Sequence, residues 1–323
     1  MSGGRSSLHD GSAGRTRAGG VGRSDGAPAD RDEGDLMNQR RHRAGTAPAF
    51  WAAAALAALA AGAAGRVLAD PIAVAPAAGS ETTAAAPDPA APFAPVPYGP
   101  GEMLVFSIDY GPVNAGEASL EVGEVVDSGG RPCYPVESKA ASNRFFSAFY
   151  LVRDKVVTHI DVQTLATRYF SKRLREGDYR KNVAIRYDQE AGKARHLDGR
   201  DEDVPTGVQD ILSAFYFVRT LPLVPGQPAL VATHSSRKTY DLVVNVHGRE
   251  RITVPAGTFD CLVVQPVIQG EGLFQFEGDL TIWLTDDERR LPVLMKTKVK
   301  VGAIDASLKS YRPGRPLHPE VRP

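Results

Sequence analysis

Between Leu104 and Tyr311, bulky apolar residues recur at every second position in short runs, a pattern that strands can satisfy and helices cannot. Leu104, Phe106, Ile108 and Tyr110 alternate with Val105, Ser107 and Asp109, as a strand with one buried face requires. Gly111, Pro112, Val113, Asn114, Ala115 and Gly116 then supply a turn, and Ala118, Leu120 and Val122 resume the alternation, which predicts a hairpin. Comparable extended stretches run over Cys133–Ala140, Lys155–Asp161, Ala166–Leu174, Asn182–Tyr187, Leu230–His234, Tyr240–Val246, Cys261–Ile268, Leu273–Leu284, Val293–Val301 and Ala306–Tyr311. The connections are short and rich in Gly, Asp or Pro, which favours antiparallel neighbours over parallel crossovers through helices.

Two segments depart from this period. In Asn143–Val152 the pairs Phe145, Phe146 and Phe149, Tyr150 stand four apart, and in Val208–Arg219 the residues Ile211, Leu212, Phe215 and Tyr216 repeat that spacing. Both predict a short helix with one apolar face. Thr206 is the expected start of the second and Pro222 its stop. The fold class that follows is mainly β: a large curved antiparallel sheet, half-barrel or open-barrel-like, with two short helices packed on its concave side. Phe145, Phe149, Phe215 and Tyr216 are then the expected lining of any cavity the sheet encloses, and Trp283 is expected in the core.

The ends of the chain read differently. Residues 1–36 are mostly Gly, Ser, Ala, Arg and Asp, a composition that cannot offset its ordering entropy, so disorder is expected there. A second methionine, Met37, opens a basic stretch containing Arg40, Arg41 and Arg43. An Ala-rich body from Ala47 to Ala64 follows, then Val67, Leu68, Ala69. That is the form of a signal peptide over 37–69, cut between Ala69 and Asp70, and it suggests that residues 1–36 lie upstream of the true start. A membrane anchor is the competing reading, because the apolar run approaches the roughly 18 residues of a spanning helix. Residues 70–97 are an Ala/Pro-rich linker, 98–312 a single β-rich domain, and 313–323 a Pro-broken, disordered tail. The destination read from this plan is periplasmic, or otherwise exported.

Composition narrows the function. Lys plus Arg and Asp plus Glu are both 38, so the electrostatic footprint of a nucleic-acid-binding protein is missing. The two cysteines, Cys133 and Cys261, are too few for a disulfide scaffold or a four-thiolate zinc site, although they could bridge in an oxidising compartment; two buried free thiols are the alternative. His159, His196, His234 and His247 show no metal-ligand spacing and read as separate surface residues. Asp286, Asp287 and Glu288 read as a polar turn, the Asp198–Asp203 stretch as a solvated loop, and Ser213, outside any Gly-x-Ser-x-Gly elbow, as a helix-surface serine. No catalytic residue, metal or cofactor is assigned. Arg168, Lys172, Arg173, Arg175, Arg180, Lys181 and Arg186 crowd one hairpin, either as edge-strand protection or as a face for anionic headgroups or glycans.

Several ordered blocks resemble one family. Asp210–Arg219 with Leu223–Gly226, Val254–Cys261, Ile282–Asp287 leading to Val293, the opening Tyr110–Gly116 and the closing Gly302–Tyr311 are together similar to the exported domain of unknown function 3108. The resemblance covers essentially 98–312. It implies an exported β-rich domain and brings no activity or catalytic residues. By looser analogy, a curved sheet with helices in its mouth is similar to the half-barrel of outer-membrane lipoprotein carriers. The function expected is a non-enzymatic envelope protein that binds a lipid or other amphiphile in the curved sheet. The alternatives are a scaffold module with an envelope protein partner and, third, a cell-wall hydrolase using Asp286 and Asp287. Membrane contact is expected only through an uncleaved signal or the basic hairpin.

Overall fold

A computed structural model describes residues 96–268, 280–298 and 302–315. The expected disordered start, the signal with its Ala69/Asp70 cut, most of the linker, the first part of the Leu273–Leu284 strand, and the tail beyond 315 lie outside these residues.

The elements in chain order are β1 (Met103–Tyr110), β2 (Val113–Val122), β3 (Val126–Asp127), β4 (Pro132–Ser142), α1 (Arg144–Ser147), β5 (Arg153–Asp161), β6 (Thr167–Glu176), β7 (Tyr179–Asp188), β8 (Lys193–His196) and β9 (Asp201–Asp203). Then follow α2 (Ile211–Val218), β10 (Ala229–Ser235), β11 (Lys238–Val254), β12 (Gly257–Ile268), β13 (Leu280–Thr285), β14 (Pro292–Lys298) and β15 (Ala303–Arg312). All strands join one antiparallel sheet in the order β10-β11-β12-β13-β14-β15-β1-β2-β4-β5-β6-β7-β8-β9, with β3 paired to β4 off this path. Both ends are open, so the ladder does not close into a barrel.

The period-two reading locates the core. Leu104, Phe106 and Ile108 of β1 face inward and meet Ala118 and Leu120 of β2 and Leu308 and Ala306 of β15. A side chain of this size, fully buried, contributes about 1.5–3 kcal/mol. The sheet wraps around α2, which touches both β5 and β10 although eight strands separate them along the sheet. The helix is pinned at both ends. Asp210 caps its start, its Oδ1 accepting the N–H groups of Leu212 and Ser213. At the far end Arg219 makes a buried, bidentate pair with Glu102.

Several expectations need correction. Asp210, not Thr206, caps α2, because only Asp210 places a carboxylate over the first free N–H groups. The first helix is a single turn, since Val152 is already drawn into a bridge with Glu176. The Asp198–Asp203 stretch is not a loop throughout; Asp201–Asp203 form β9 against β8. β11 runs on to Val254 by absorbing an irregularity between Val246 and Gly248. Trp283 faces outward between the buried Ile282 and Leu284, its indole N–H donating to Glu250 at 2.9 Å. Of the two alternatives for the cysteines, Cys133 and Cys261 take that of buried free thiols, on β4 and β12 with five strands between them. Burial pushes their thiols up to about 12 and about 11. Among the described residues no helix is long and apolar enough to cross a membrane.

Candidate functional site

The four aromatic residues expected to line a cavity separate into two groups. Phe215 and Tyr216 are buried on α2, whereas Phe145 and Phe149 are 66% and 72% exposed, their rings 5.5 Å apart. A single helical turn has room to bury one residue, and Phe146 takes that place. Phe215 closes an apolar cleft with Ile211, Val218, Leu242, Val264 and Ile282, but its free volume is about 20 Å³, roughly the space of one water. Tyr216 instead stacks edge-on against Tyr98 and lies under the Arg219 guanidinium.

The basic hairpin, β6–β7, is interior to the sheet rather than an edge, so protection of an edge does not explain it. Two of its cations are buried on the inner side: Arg168 pairs with Asp161 and Glu190, and burial of Lys172 lowers its ammonium to about 8. Lys181, opposite the buried Leu174, shares the inner side with Lys172, and Arg173, Arg175, Arg180 and Arg186 stand on the outer face in rows. Lys139 of β4 lies opposite Lys155 of β5, and Lys155 opposite Arg173 of β6. Arg175 of β6 lies opposite Arg180 of β7, and Arg186 of β7 opposite Arg195 of β8. The register that joins Lys155 to Arg173 also sets Arg153 beside Arg175. Glu137 pairs with Lys139 and Lys155, and Asp188 with Arg195. Among the described residues, Arg153 and Arg180 reach only backbone carbonyls.

This face and the exposed phenylalanines are neighbours. The tip of the β6–β7 hairpin is held against the segment after α1, with Gly177 N–H donating to the Leu151 carbonyl at 2.8 Å. Gly177 has φ +54°, and a Cβ there would come 2.7 Å from the Tyr150 ring, so only glycine allows the hairpin to close against it. Tyr179, 49% exposed, adds a third aromatic at the tip.

Beneath the tip, on the inner face, Asp154, Lys172 and Glu176 are buried together. Asp154 accepts the Arg175 N–H at 2.9 Å. Burial and the neighbouring Asp154 carboxyl push Glu176 up to about 7, and burial also raises Asp154.

A second constellation lies where the two ends of the sheet approach. Between β9 and β10 there is no ladder; Gln209, ahead of α2, bridges to Thr233 of β10. Alongside, Glu202 Oε2 stands 3.0 Å from His196 Nε2 and 2.9 Å from His234 Nε2. His234 Nδ1 is 2.9 Å from the Tyr187 hydroxyl. The separate surface histidines of the sequence reading are therefore corrected: His234 is 2% exposed and joined to His196, and burial lowers its imidazolium below the usual range. Nothing local in the sequence signals this, because the three residues come from β8, β9 and β10. His159 and His247 stay apart from them, bonded to Ser128 and Gln265.

Ser213 is buried, not on the helix surface, and its Oγ donates to the Asp210 carbonyl at 3.1 Å. Asp286 is paired with Arg249 and Arg290, and Asp287 with Arg289 and the Thr285 hydroxyl, as in a polar turn.

Compared with known proteins, residues 105–309 match the family model described as protein of unknown function (DUF3108). No curated protein matches the chain. Among solved structures, the beta-barrel-like protein of the domain of unknown function DUF1849 from Brucella abortus is similar at 7% identity and a TM-score of 0.49, covering 68% of this chain and 99% of that one. A protein with a YmcC-like fold from Bacteroides fragilis is similar at 12% identity and a TM-score of 0.33, covering 68% of this chain and 98% of that one.

Proposed function

Because this chain belongs to the DUF3108 family of proteins of unknown function, its role has to be read from its own surface, and we propose that it is an exported, non-enzymatic envelope protein that docks on anionic lipid membranes. The observation that supports this is the stacking of cation against cation across β4, β5, β6, β7 and β8. Like charges directly opposite on adjacent strands each cost a few tenths of a kcal/mol to about 1 kcal/mol. A fold keeps such rows at a cost in stability, and a negatively charged surface offsets that cost. Phe145 and Phe149, exposed beside the hairpin tip, supply the aromatic contact that favours the headgroup region over a purely polar polyanion. The basic segment after Met37 and the apolar run behind it support export. The amphiphile is thus met at the outer face, since the cleft beside α2 is too small to hold an acyl chain.

Flotation of the purified protein with vesicles tests this. Phosphatidylglycerol-containing vesicles should capture it and pure phosphatidylcholine vesicles should not, with binding lost as salt rises. At about 1 kcal/mol per cation near the surface, Arg173→Ser with Arg175→Ser should weaken binding about 30-fold. Phe145→Ser with Phe149→Ser should weaken it without changing the salt dependence. Equal capture by neutral vesicles, or capture unchanged in the arginine variant, overturns the proposal. So does preference for a soluble polyanionic glycan over vesicles.

A further inference from the structure

The free ends of the sheet are joined by a donor set that suits a cation better than it suits itself. His196 ends β8, Glu202 is the middle residue of β9, and His234 lies near the end of β10. Their nearest ligand atoms, Nε2, Oε2 and Nε2, all fall within 4.8 Å of one another. Without a cation, a single carboxylate oxygen serves two imidazoles at once.

We propose that His196 Nε2, Glu202 Oε2 and His234 Nε2 form a binding site for a divalent transition metal of the zinc class. Two imidazole nitrogens and one carboxylate oxygen are a donor set that zinc takes with its fourth position left to water. Metal–ligand distances of about 2.0–2.1 Å in a tetrahedron place the ligand atoms about 3.3–3.4 Å apart. The two N–O separations of 3.0 and 2.9 Å therefore need to widen by only a few tenths of an ångström. The side chains of His196 and His234 are 8% and 1% exposed and that of Glu202 is 22% exposed, so the site is walled by protein and reaches solvent on the Glu202 side.

The surroundings favour the ligating form. Tyr187 holds the far nitrogen of His234, as an outer partner of a metal-bound histidine does. When Nε2–H donates to Glu202, the Tyr187 hydroxyl donates to Nδ1. When Nε2 ligates, the proton sits on Nδ1 and the hydroxyl accepts it. The hydrogen bond between Nδ1 and the hydroxyl is thus kept in both arrangements, with its donor reversed. A bound ion would cross-link β8 and β9 to β10 where the ladder is missing, closing the sheet by coordination instead of backbone hydrogen bonds.

Titration of the chelator-stripped protein with zinc chloride alone, read by native mass spectrometry and calorimetry, tests the site. One equivalent should bind at micromolar affinity or tighter and raise the thermal midpoint; cobalt(II) should give the intense visible absorption of a tetrahedral site. His196→Gln and Glu202→Gln, which keep the size of the side chains, should each abolish stoichiometric uptake while circular dichroism stays native. Tyr187→Phe should weaken binding about 10- to 100-fold. No stoichiometric uptake by the folded wild type, or undiminished uptake by folded His196→Gln and Glu202→Gln, overturns the proposal. This site is independent of the basic face, so the vesicle experiment does not bear on it.

Discussion

Replacing Glu102 by Ala should be among the most damaging single changes in the domain. Arg219, at the C-terminal cap of α2, is fully buried, and both terminal nitrogens donate to the Glu102 carboxylate at 2.8 Å. One of them also reaches the carbonyls of Pro97 and Arg289 at 3.3 and 3.2 Å. The rings of Tyr98 and Tyr216 lie 5.4 and 5.0 Å from the guanidinium carbon. The Nε finds no partner among the described residues. Loss of Glu102 would leave a charge that cannot deprotonate, held by two carbonyls and two ring faces. Breaking a buried pair in this way costs about 3–5 kcal/mol. At roughly 2–4 °C per kcal/mol for a domain of this size, the melting midpoint should fall by about 6–20 °C. Urea unfolding followed by circular dichroism measures the loss directly. The double variant Glu102→Ala with Arg219→Met removes both charges and should recover most of it. A single variant that costs under about 1 kcal/mol, or a double variant as unstable as the sum of the singles, would show that the pair does not hold the helix.

Two further perturbations probe the interior. Asp210 Oδ2 accepts from Thr167 at 3.0 Å and from Thr158, while Oδ1 caps α2, so Asp210→Ala should cost about 2–4 kcal/mol in urea unfolding, with Asp210→Asn closer to wild type. A native-like midpoint for the alanine variant would refute that hub. The Asp154–Glu176 pair should make stability fall as pH rises: the folded state holds its proton up to about 7 whereas the unfolded glutamate releases it near 4.5, so the contribution is complete below the lower value and lost through the upper. Glu176→Gln should therefore gain stability relative to wild type between those pH values, and a constant difference would refute the shift.

Much of the fold is written in local pattern. The alternation of Leu104, Phe106 and Ile108 with polar residues fixes which face of β1 is buried, because successive side chains of a strand must point to opposite sides. The Ile211, Leu212, Phe215, Tyr216 spacing likewise identifies α2, and Gly and Asp turns fix the hairpins. Its cap is not legible locally, because Thr206 and Asp210 are both eligible by type and only tertiary placement beside Thr158 and Thr167 selects Asp210. The basic residues of β6 and β7 were legible as a cluster. Their meaning was not, since whether a strand is an edge or interior depends on partners far away in sequence.

Phe145 and Phe149 had the period of a buried face, but the turn that carries them is too short to bury more than Phe146. The histidine seam was invisible for a different reason. His196 and His234 meet only because a sheet of this many strands curls until its ends approach, and twist accumulated over a whole sheet leaves no mark at any one position. Local periodicity thus determined the strands, the core face and the helix. Only the closing of the sheet decided which polar residues came together.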